Sequence, residues 1–169
     1  LIADVASGSQ FQQATASYEI QVAISDTVIY CFMLDSTTTT RRFVYRKSTD
    51  GGQTWGSPVD IDSSNRQALK FSIWYDRWTK GDSGDLIHLA WMEDQPDDVW
   101  YRALDTDGDT LGSQVQVFAG SSADAGAQLS FNSIAVGKTP SGRLWCAGRI
   151  DNDGENFTYY SEDGGGTWS

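Results

Sequence analysis

A short pattern recurs three times along the chain at an interval of about 57 residues, and a fixed period of this length constrains the fold more than any other feature. Thr54, Thr110 and Thr167 hold the same place in the three copies, 56 and 57 residues apart. The segments before them align in the same register: residues 43–48, 99–104 and 156–161. The chain is therefore one region of three repeats, 1–55, 56–111 and 112–169.

Each repeat contains short stretches of alternating apolar and polar residues, separated by turn residues every 8 to 12 positions. This alternation predicts strands, and no convincing helical stripe is present. A fourth strand is expected after each motif, at 58–62 and 114–118, and residues 1–5 offer the copy missing at the C-terminus. We therefore predict an all-β fold, a β-propeller of four-stranded antiparallel blades, with about three blades in this chain.

The motif itself reads S-x-D-x-G-x-T-W and is complete in two of the three repeats. Asp and Ser side chains accept hydrogen bonds from turn amides, and Gly permits positive φ, so the pattern predicts a tight hairpin turn that covers its own tryptophan. The matching residues are Ser48, Asp50, Gly52, Thr54 and Trp55 in the first copy and Ser161, Asp163, Gly165, Thr167 and Trp168 in the third.

These residues resemble the Asp-box of the sialidase (BNR-repeat) superfamily of β-propellers. The middle copy departs from the pattern, with Leu104, Thr106 and Leu111 at the Ser, Asp and Trp positions. The resemblance implies a structural role for the Asp-boxes, on the face opposite the ligand site. It also implies six blades, so we expect further blades from the same or another chain, in a homo-oligomer or a larger assembly.

The charge and hydropathy of the chain argue against two classes of partner, nucleic acids and membranes. The chain has 12 Lys+Arg and 23 Asp+Glu, a net charge of −11, which argues against nucleic acid because phosphate binding needs clustered cations. No apolar run is long enough for membrane insertion.

The two cysteines, Cys31 and Cys146, lack metal-ligand spacing with the single histidine, His88, and are expected to be separate buried thiols. An extracellular or virion-surface location is the expectation.

The loops expected opposite the Asp-boxes carry the candidate ligand-binding residues. The resemblance implies arginines that grip a substrate carboxylate, and Arg41, Arg66 and Arg149 are the candidates, because the guanidinium fork binds carboxylates through two hydrogen bonds. It carries no catalytic residue over to this chain, since the family's Tyr nucleophile and its Glu belong to later blades. The catalytic residues stay unknown.

Acidic residues cluster in the same loops. Asp94 and Asp98 lie in one loop with Glu93 and Asp97, and Asp151 lies in another with Asp153. Such carboxylates could bind calcium or act as the acid and base of a glycosidase, and the remaining alternative is that they are solvated residues of an acidic loop. No other cofactor is expected.

Two further features have both a packing and a functional interpretation. Trp74, Tyr75 and Trp78 could stack on sugar rings, but packing between blades explains them more simply. His88 aligns with Tyr30 and Trp145 of the other repeats, which favours a packing role over catalysis.

Three functional hypotheses follow. The first is a sialidase-like Asp-box module that binds glycans or is structural, on a secreted or virion surface. The second is an exo-acting sialidase-type glycoside hydrolase, of which these blades are a part. The third is a purely architectural component of a larger assembly. A carbohydrate is the expected ligand of the first two.

Overall fold

The structure is a computed structural model that describes residues 19–36, 40–64, 66–93, 98–120, 133–149 and 156–169. It confirms an all-β chain of antiparallel blades. The chain divides into two compact units, Leu1–Ala68 and Leu69–Ser169.

Blade 1 lies in the first unit and is a four-stranded antiparallel sheet. Its strands are β1 (Ile20–Ala23), β2 (Ile29–Asp35), β3 (Arg42–Ser48) and β4 (Val59–Asp60), paired in that order. The fourth strand is shorter than predicted, because only Val59 and Asp60 pair with β3. The predicted order of one hairpin after another is confirmed.

The second unit contains blades 2 and 3, except for Ala68, the first residue of blade 2, which belongs to the first unit. Blade 2 consists of β5 (Ala68–Tyr75), β6 (Leu86–Glu93), β7 (Val99–Asp105), β8 (Thr110–Leu111) and β9 (Val115–Phe118), with both β8 and β9 on the outer side of β7. Blade 3 contains β10 (Ser133–Lys138), β11 (Leu144–Arg149) and β12 (Asn156–Ser161). The strand predicted at residues 1–5 lies outside the described residues.

The core of the second unit forms where the sheets of blades 2 and 3 face each other. Alternate side chains of each strand point to one face, so β6, β7 and β9 contribute one half of the contact and β10 to β12 the other. The buried members are Ala90, Met92, Val99, Tyr101, Val117, Val136, Leu144, Cys146 and Phe157. Blade 1 has a smaller buried cluster of Cys31, Met33 and Val44.

The first complete copy of the S-x-D-x-G-x-T-W motif, which we call an Asp-box after the resemblance noted above, forms the predicted turn between β3 and β4. Ser48 Oγ donates to Asp50 Oδ1 at 2.8 Å and accepts from the Gly52 amide at 2.9 Å. Asp50 Oδ1 also accepts from the Thr54 amide at 2.8 Å, and the Thr54 hydroxyl donates to Oδ2. The side-chain hydrogen bond from Thr54, with backbone and Ser48 donors, lowers the pKa of Asp50 to about 2.

The Asp-box of blade 3 repeats these bonds. Ser161 Oγ donates to Asp163 Oδ1 at 2.7 Å and accepts from the Gly165 amide at 2.8 Å. Asp163 accepts from the amide of Thr167 at 2.9 Å and from its hydroxyl at 2.8 Å. The Thr167 amide is the main reason why the pKa of Asp163 falls to about 2.

The expectation that the Asp-box tryptophans are buried is wrong, because both rings are half-buried. Trp55 packs against the Cys31 cluster from its margin, and Trp168 packs against Tyr101 with ring centroids 5.2 Å apart. The Trp168 indole N–H donates to the Gly165 carbonyl at 3.2 Å. A ring at the margin of a cluster keeps part of its surface in solvent.

The middle copy folds as a different turn, in keeping with its altered sequence. Asp105, one residue before the expected position, accepts hydrogen bonds from the amides of Asp107 at 2.9 Å and Gly108 at 3.3 Å. Thr106, which stands at the Asp position of the pattern, donates its hydroxyl to the Asp85 carbonyl at 2.8 Å. Leu111 pairs with Leu104 across β7 and β8.

Both cysteines are free and buried, which confirms the prediction of separate thiols. Burial raises the pKa of Cys31 and of Cys146 to about 12, so neither is a reactive thiolate. Within the described ranges, no helix has the length and apolar character needed to cross a bilayer.

Candidate site at the arginine end of blade 1

The end of blade 1 opposite its Asp-box contains three arginines. Strand β3 starts at Arg42 and ends at Ser48, the first residue of the Asp-box. The six residue steps from Arg42 to Ser48, at about 3.3 Å each, place these ends roughly 20 Å apart. We call the distal end, formed by Asp35, Arg41, Arg42, Asp60, Asp62, Ser64 and Arg66, the arginine end.

Arg42 is the fixed centre of the arginine end. Its Nη2 lies 2.9 Å from Asp35 Oδ2, and its Nη1 lies 2.9 Å from each carboxylate oxygen of Asp60. Asp35 faces Arg42 directly in the β2–β3 register, and Asp60 belongs to β4. The guanidinium therefore joins three neighbouring strands at their ends.

Arg41 and Arg66 lie on two segments that are held together. The Ala68 amide donates to the Arg41 carbonyl at 2.8 Å, which fixes the segment after β4 beside the start of β3. The Arg66 amide donates to Ser64 Oγ at 3.2 Å. Asp62 accepts from the amide of Ser64 at 2.7 Å and from its hydroxyl at 3.0 Å, so its carboxylate organises this loop.

The arginine end combines cations at the solvent boundary with carboxylates that hold the backbone. Arg66 is exposed and Arg41 is half-buried, and among the described residues no carboxylate forms an ion pair with the Arg41 guanidinium. Guanidinium groups on a fixed backbone suit a carboxylate or sulfate, and the neighbouring hydroxyls suit sugar hydroxyls. This arrangement can bind a ligand.

The equivalent end of blade 2 is acidic and buried. Glu93 is 0% exposed and Asp98 is 4% exposed. Trp91 Nε1 donates to Glu93 Oε1 at 3.3 Å, and the Gly120 amide donates to Asp98 Oδ1 at 3.0 Å. Asp98 therefore has a structural contact, and neither carboxylate is open to a sugar in this conformation.

Of the other predicted ligand-binding residues, the structure describes only Arg149 and Asp98. Arg149 is exposed at the end of β11, opposite Asn156 in the register. Asp94 and Asp151 lie outside the described residues, as do Asp97 and Asp153. Within the part of the chain that is described, no group of three or more His, Cys, Asp or Glu side chains could hold a metal ion. Calcium therefore remains a prediction about the loops around Asp94 and Asp151.

The aromatic segment of blade 2 divides into three environments. Tyr75 is buried, Trp74 is half-buried and Trp78 is 46% exposed. Trp74 and Trp78 meet edge to face at 5.9 Å, and Trp74 Nε1 donates to Thr79 Oγ1 at 2.8 Å. The packing interpretation holds for Tyr75, whereas Trp78 lies at the surface.

Sequence reasoning missed Asp35, Arg42 and Asp60. The signal for the first pair was present, because a β2–β3 hairpin closed around residues 36–41 places Asp35 opposite Arg42. The contact with Asp60 needs the β3–β4 pairing as well, and that pairing involves only two residues of β4.

Comparison with known proteins supports the fold. No protein-family model matches the chain, and no curated protein matches it. The solved structures similar to it include two of a polysaccharide lyase described as PL25 ulvan lyase, one of them bound to -[GlcA(1-4)Rha3S]-. Their TM-scores are 0.53 and 0.54 at 15% identity, over 90% of this chain and 42% of each lyase chain. This chain thus spans less than half the length of either lyase chain and shares a β-fold with sugar-active enzymes.

Proposed function

We propose that this chain is part of a sialidase-like Asp-box propeller that binds a glycan with a carboxylate or sulfate group at the arginine end of blade 1. The observation that supports this most is the position of Arg41 and Arg66 on two hydrogen-bonded segments, at the end of β3 away from the Asp-box. The similarity to a lyase bound to a saccharide containing GlcA and Rha3S supports the same ligand class.

The burial of Glu93 and Asp98 favours binding over catalysis. A glycosidase needs two carboxyl groups that reach the scissile bond. The described acids at the equivalent end of blade 2, Glu93 and Asp98, are buried. The hydrolase hypothesis therefore depends on blades or loops beyond those described, and the architectural hypothesis predicts no glycan binding at all.

Isothermal titration with an oligosaccharide containing uronic acid and sulfate tests the proposal. Arg41→Gln and Arg66→Gln each remove one guanidinium, so each should raise the Kd about tenfold, equivalent to roughly 1.4 kcal/mol. Arg46→Gln is the matched control, because Arg46 lies in the middle of β3 on the same blade. Equal effects of all three substitutions, or no binding by the unmodified chain, would contradict the proposal.

An activity assay separates the enzymatic alternatives. Release of fluorophore from a sialoside would favour the hydrolase, and formation of an unsaturated uronate would favour a lyase. Binding without either product supports the glycan-binding module. Further blades from the same or another chain, and an extracellular or virion-surface location, stay predictions.

A further inference from the structure

The single histidine of the chain lies in a buried polar network between blades 2 and 3. His88, on β6, is 1% exposed. Its Nε2 lies 2.8 Å from Asp76 Oδ1, and its Nδ1 lies 2.7 Å from the Tyr101 hydroxyl. We call His88, Asp76, Asp82, Tyr101 and Lys138 the His88 network.

Asp76 is the hub of this network. Its Oδ1 also accepts from Lys138 Nζ at 2.6 Å, and its Oδ2 accepts from the Leu86 amide at 3.2 Å. Lys138 Nζ lies 2.8 Å from Asp82 Oδ2 as well. Because Lys138 ends β10 of blade 3 and the two acids belong to blade 2, the network joins the blades through charge.

The surroundings determine which protons are present near neutral pH. Burial lowers the pKa of His88, while the hydrogen bond and charge of Asp76 oppose this and the charge of Lys138 adds to it. The neutral ring keeps its proton on Nε2, because the Asp76 carboxylate can only accept. Burial raises the pKa of Tyr101, so its hydroxyl stays protonated and donates to Nδ1.

The Tyr101 hydroxyl has a second acceptor within reach. Its oxygen lies 3.2 Å from the Gly164 carbonyl oxygen, in the Asp-box turn of blade 3. A phenol has one proton and can serve one of these acceptors at a time. When Nδ1 takes up a proton from solvent, the new N–H donates to the Tyr101 oxygen, and the hydroxyl proton is free to turn to Gly164.

We propose that Tyr101 is a two-position hydrogen-bond switch that couples protonation of His88 to the Asp-box turn of blade 3. Both positions satisfy every polar atom of the imidazole. The titratable groups of the network come from the turn at Asp76, the following loop at Asp82, strand β7 at Tyr101 and strand β10 at Lys138. The switch responds to mild acid.

The direction of the pH effect follows from linkage. An exposed histidine in the unfolded chain titrates near pH 6.5, and burial lowers the folded value below that. The unfolded chain then binds more protons between the two values, so stability falls as the pH drops below about 6.5 and levels off below the folded pKa. The Gly164 hydrogen bond forms over the range of the folded titration.

An NMR titration of the labelled protein tests the proposal directly, since His88 gives the only histidine signals. The neutral ring should be the Nε2–H tautomer. The Gly164 carbonyl resonance should follow the His88 titration curve. An Nδ1–H tautomer, or a Gly164 signal that ignores His88, would overturn the switch without any variant.

Two variants separate the switch from ordinary packing. Tyr101→Phe keeps the ring and removes the hydroxyl, so the Gly164 signal should lose its pH dependence, and the His88 pKa should fall because Nδ1–H loses its acceptor. Lys138→Met removes a nearby cation, so the His88 pKa should rise while Gly164 still follows it. A Gly164 response that survives in Tyr101→Phe would refute the proposal. This test does not depend on glycan binding.

Discussion

Gly165 is the position where the contact between blades leaves least room for a side chain. Gly165 is buried, with φ of +98°, and a Cβ added there would clash with the ring of Tyr101 at Cε1. Gly164, the preceding residue, has φ of +74°, and an added Cβ meets nothing within 4 Å. The two glycines share one turn and differ in packing, so Gly165→Ala and Gly164→Ala form a matched pair.

The two substitutions should differ in the unfolding free energy that they cost, because only Gly165→Ala creates a close contact with Tyr101. An alanine in left-handed backbone costs roughly 1–2 kcal/mol, which applies to both variants. Overpacking a close contact costs roughly 1–3 kcal/mol more, which applies to Gly165→Ala alone. Gly164→Ala should therefore lose about 1–2 kcal/mol of unfolding free energy, and Gly165→Ala about 2–5 kcal/mol.

Urea unfolding followed by thiol labelling at Cys146 provides the assay, because this buried cysteine belongs to the same unit. Tyr101→Ala supplies a control background, since it removes the ring that the new Cβ would strike. In that background the two glycine substitutions should cost the same. If Gly165→Ala loses no more stability than Gly164→Ala in the unmodified chain, the reasoning about this contact is refuted.

Three further predictions follow from the fold. Asp50 and Asp163 have pKa values of about 2, so the stability that they provide is present above about pH 4 and is lost as the pH falls towards 2. Asp50→Asn and Asp163→Asn should each reduce the loss of stability between about pH 4 and pH 2, measured by unfolding followed with circular dichroism. An unchanged loss of stability in both variants would contradict the Asp-box hydrogen bonds. The thiols of Cys31 and Cys146 should react with a disulfide reagent only as fast as their units open, and immediate reaction in native buffer would show that they are accessible. Light scattering should show association of this 18.6 kDa chain, as expected for blades that need further blades, and a stable monomer would contradict that expectation.

The Asp-box turns could be predicted in detail because their hydrogen bonds are local. Each bond of Asp50 joins residues at most four positions apart, so the motif contains all the partners. The burial of Trp55 depends on the cluster of Cys31, Met33 and Val44 that its ring packs against. These residues lie outside the motif, so the motif alone does not predict how deeply the ring is buried. Sequence reasoning therefore predicted the turn correctly and the depth of its tryptophan wrongly.

The His88 network could not be predicted in the same way. Lys138 is 62 residues from Asp76, and the Gly164 carbonyl is 63 residues from Tyr101. In the sequence, Lys138 is only a charged residue at the end of a strand, before a turn. Its role depends on how β10 packs against β6. A repeat of about 57 residues predicts that neighbouring blades pack together, but it does not predict which side chains meet.

The position of His88 within the repeat explains why a titratable group lies on the second strand of blade 2. The equivalent residue of blade 1, Tyr30, is buried and packs against Tyr45 at 5.8 Å, much as His88 packs against Tyr101 at 5.9 Å. The equivalent in blade 3 is Trp145, which is 36% exposed. The repeated backbone therefore fixes an aromatic position on the second strand, and the residue type decides its chemistry. Tyrosine and tryptophan there pack and form hydrogen bonds without changing charge, whereas an imidazole can exchange a proton near neutral pH.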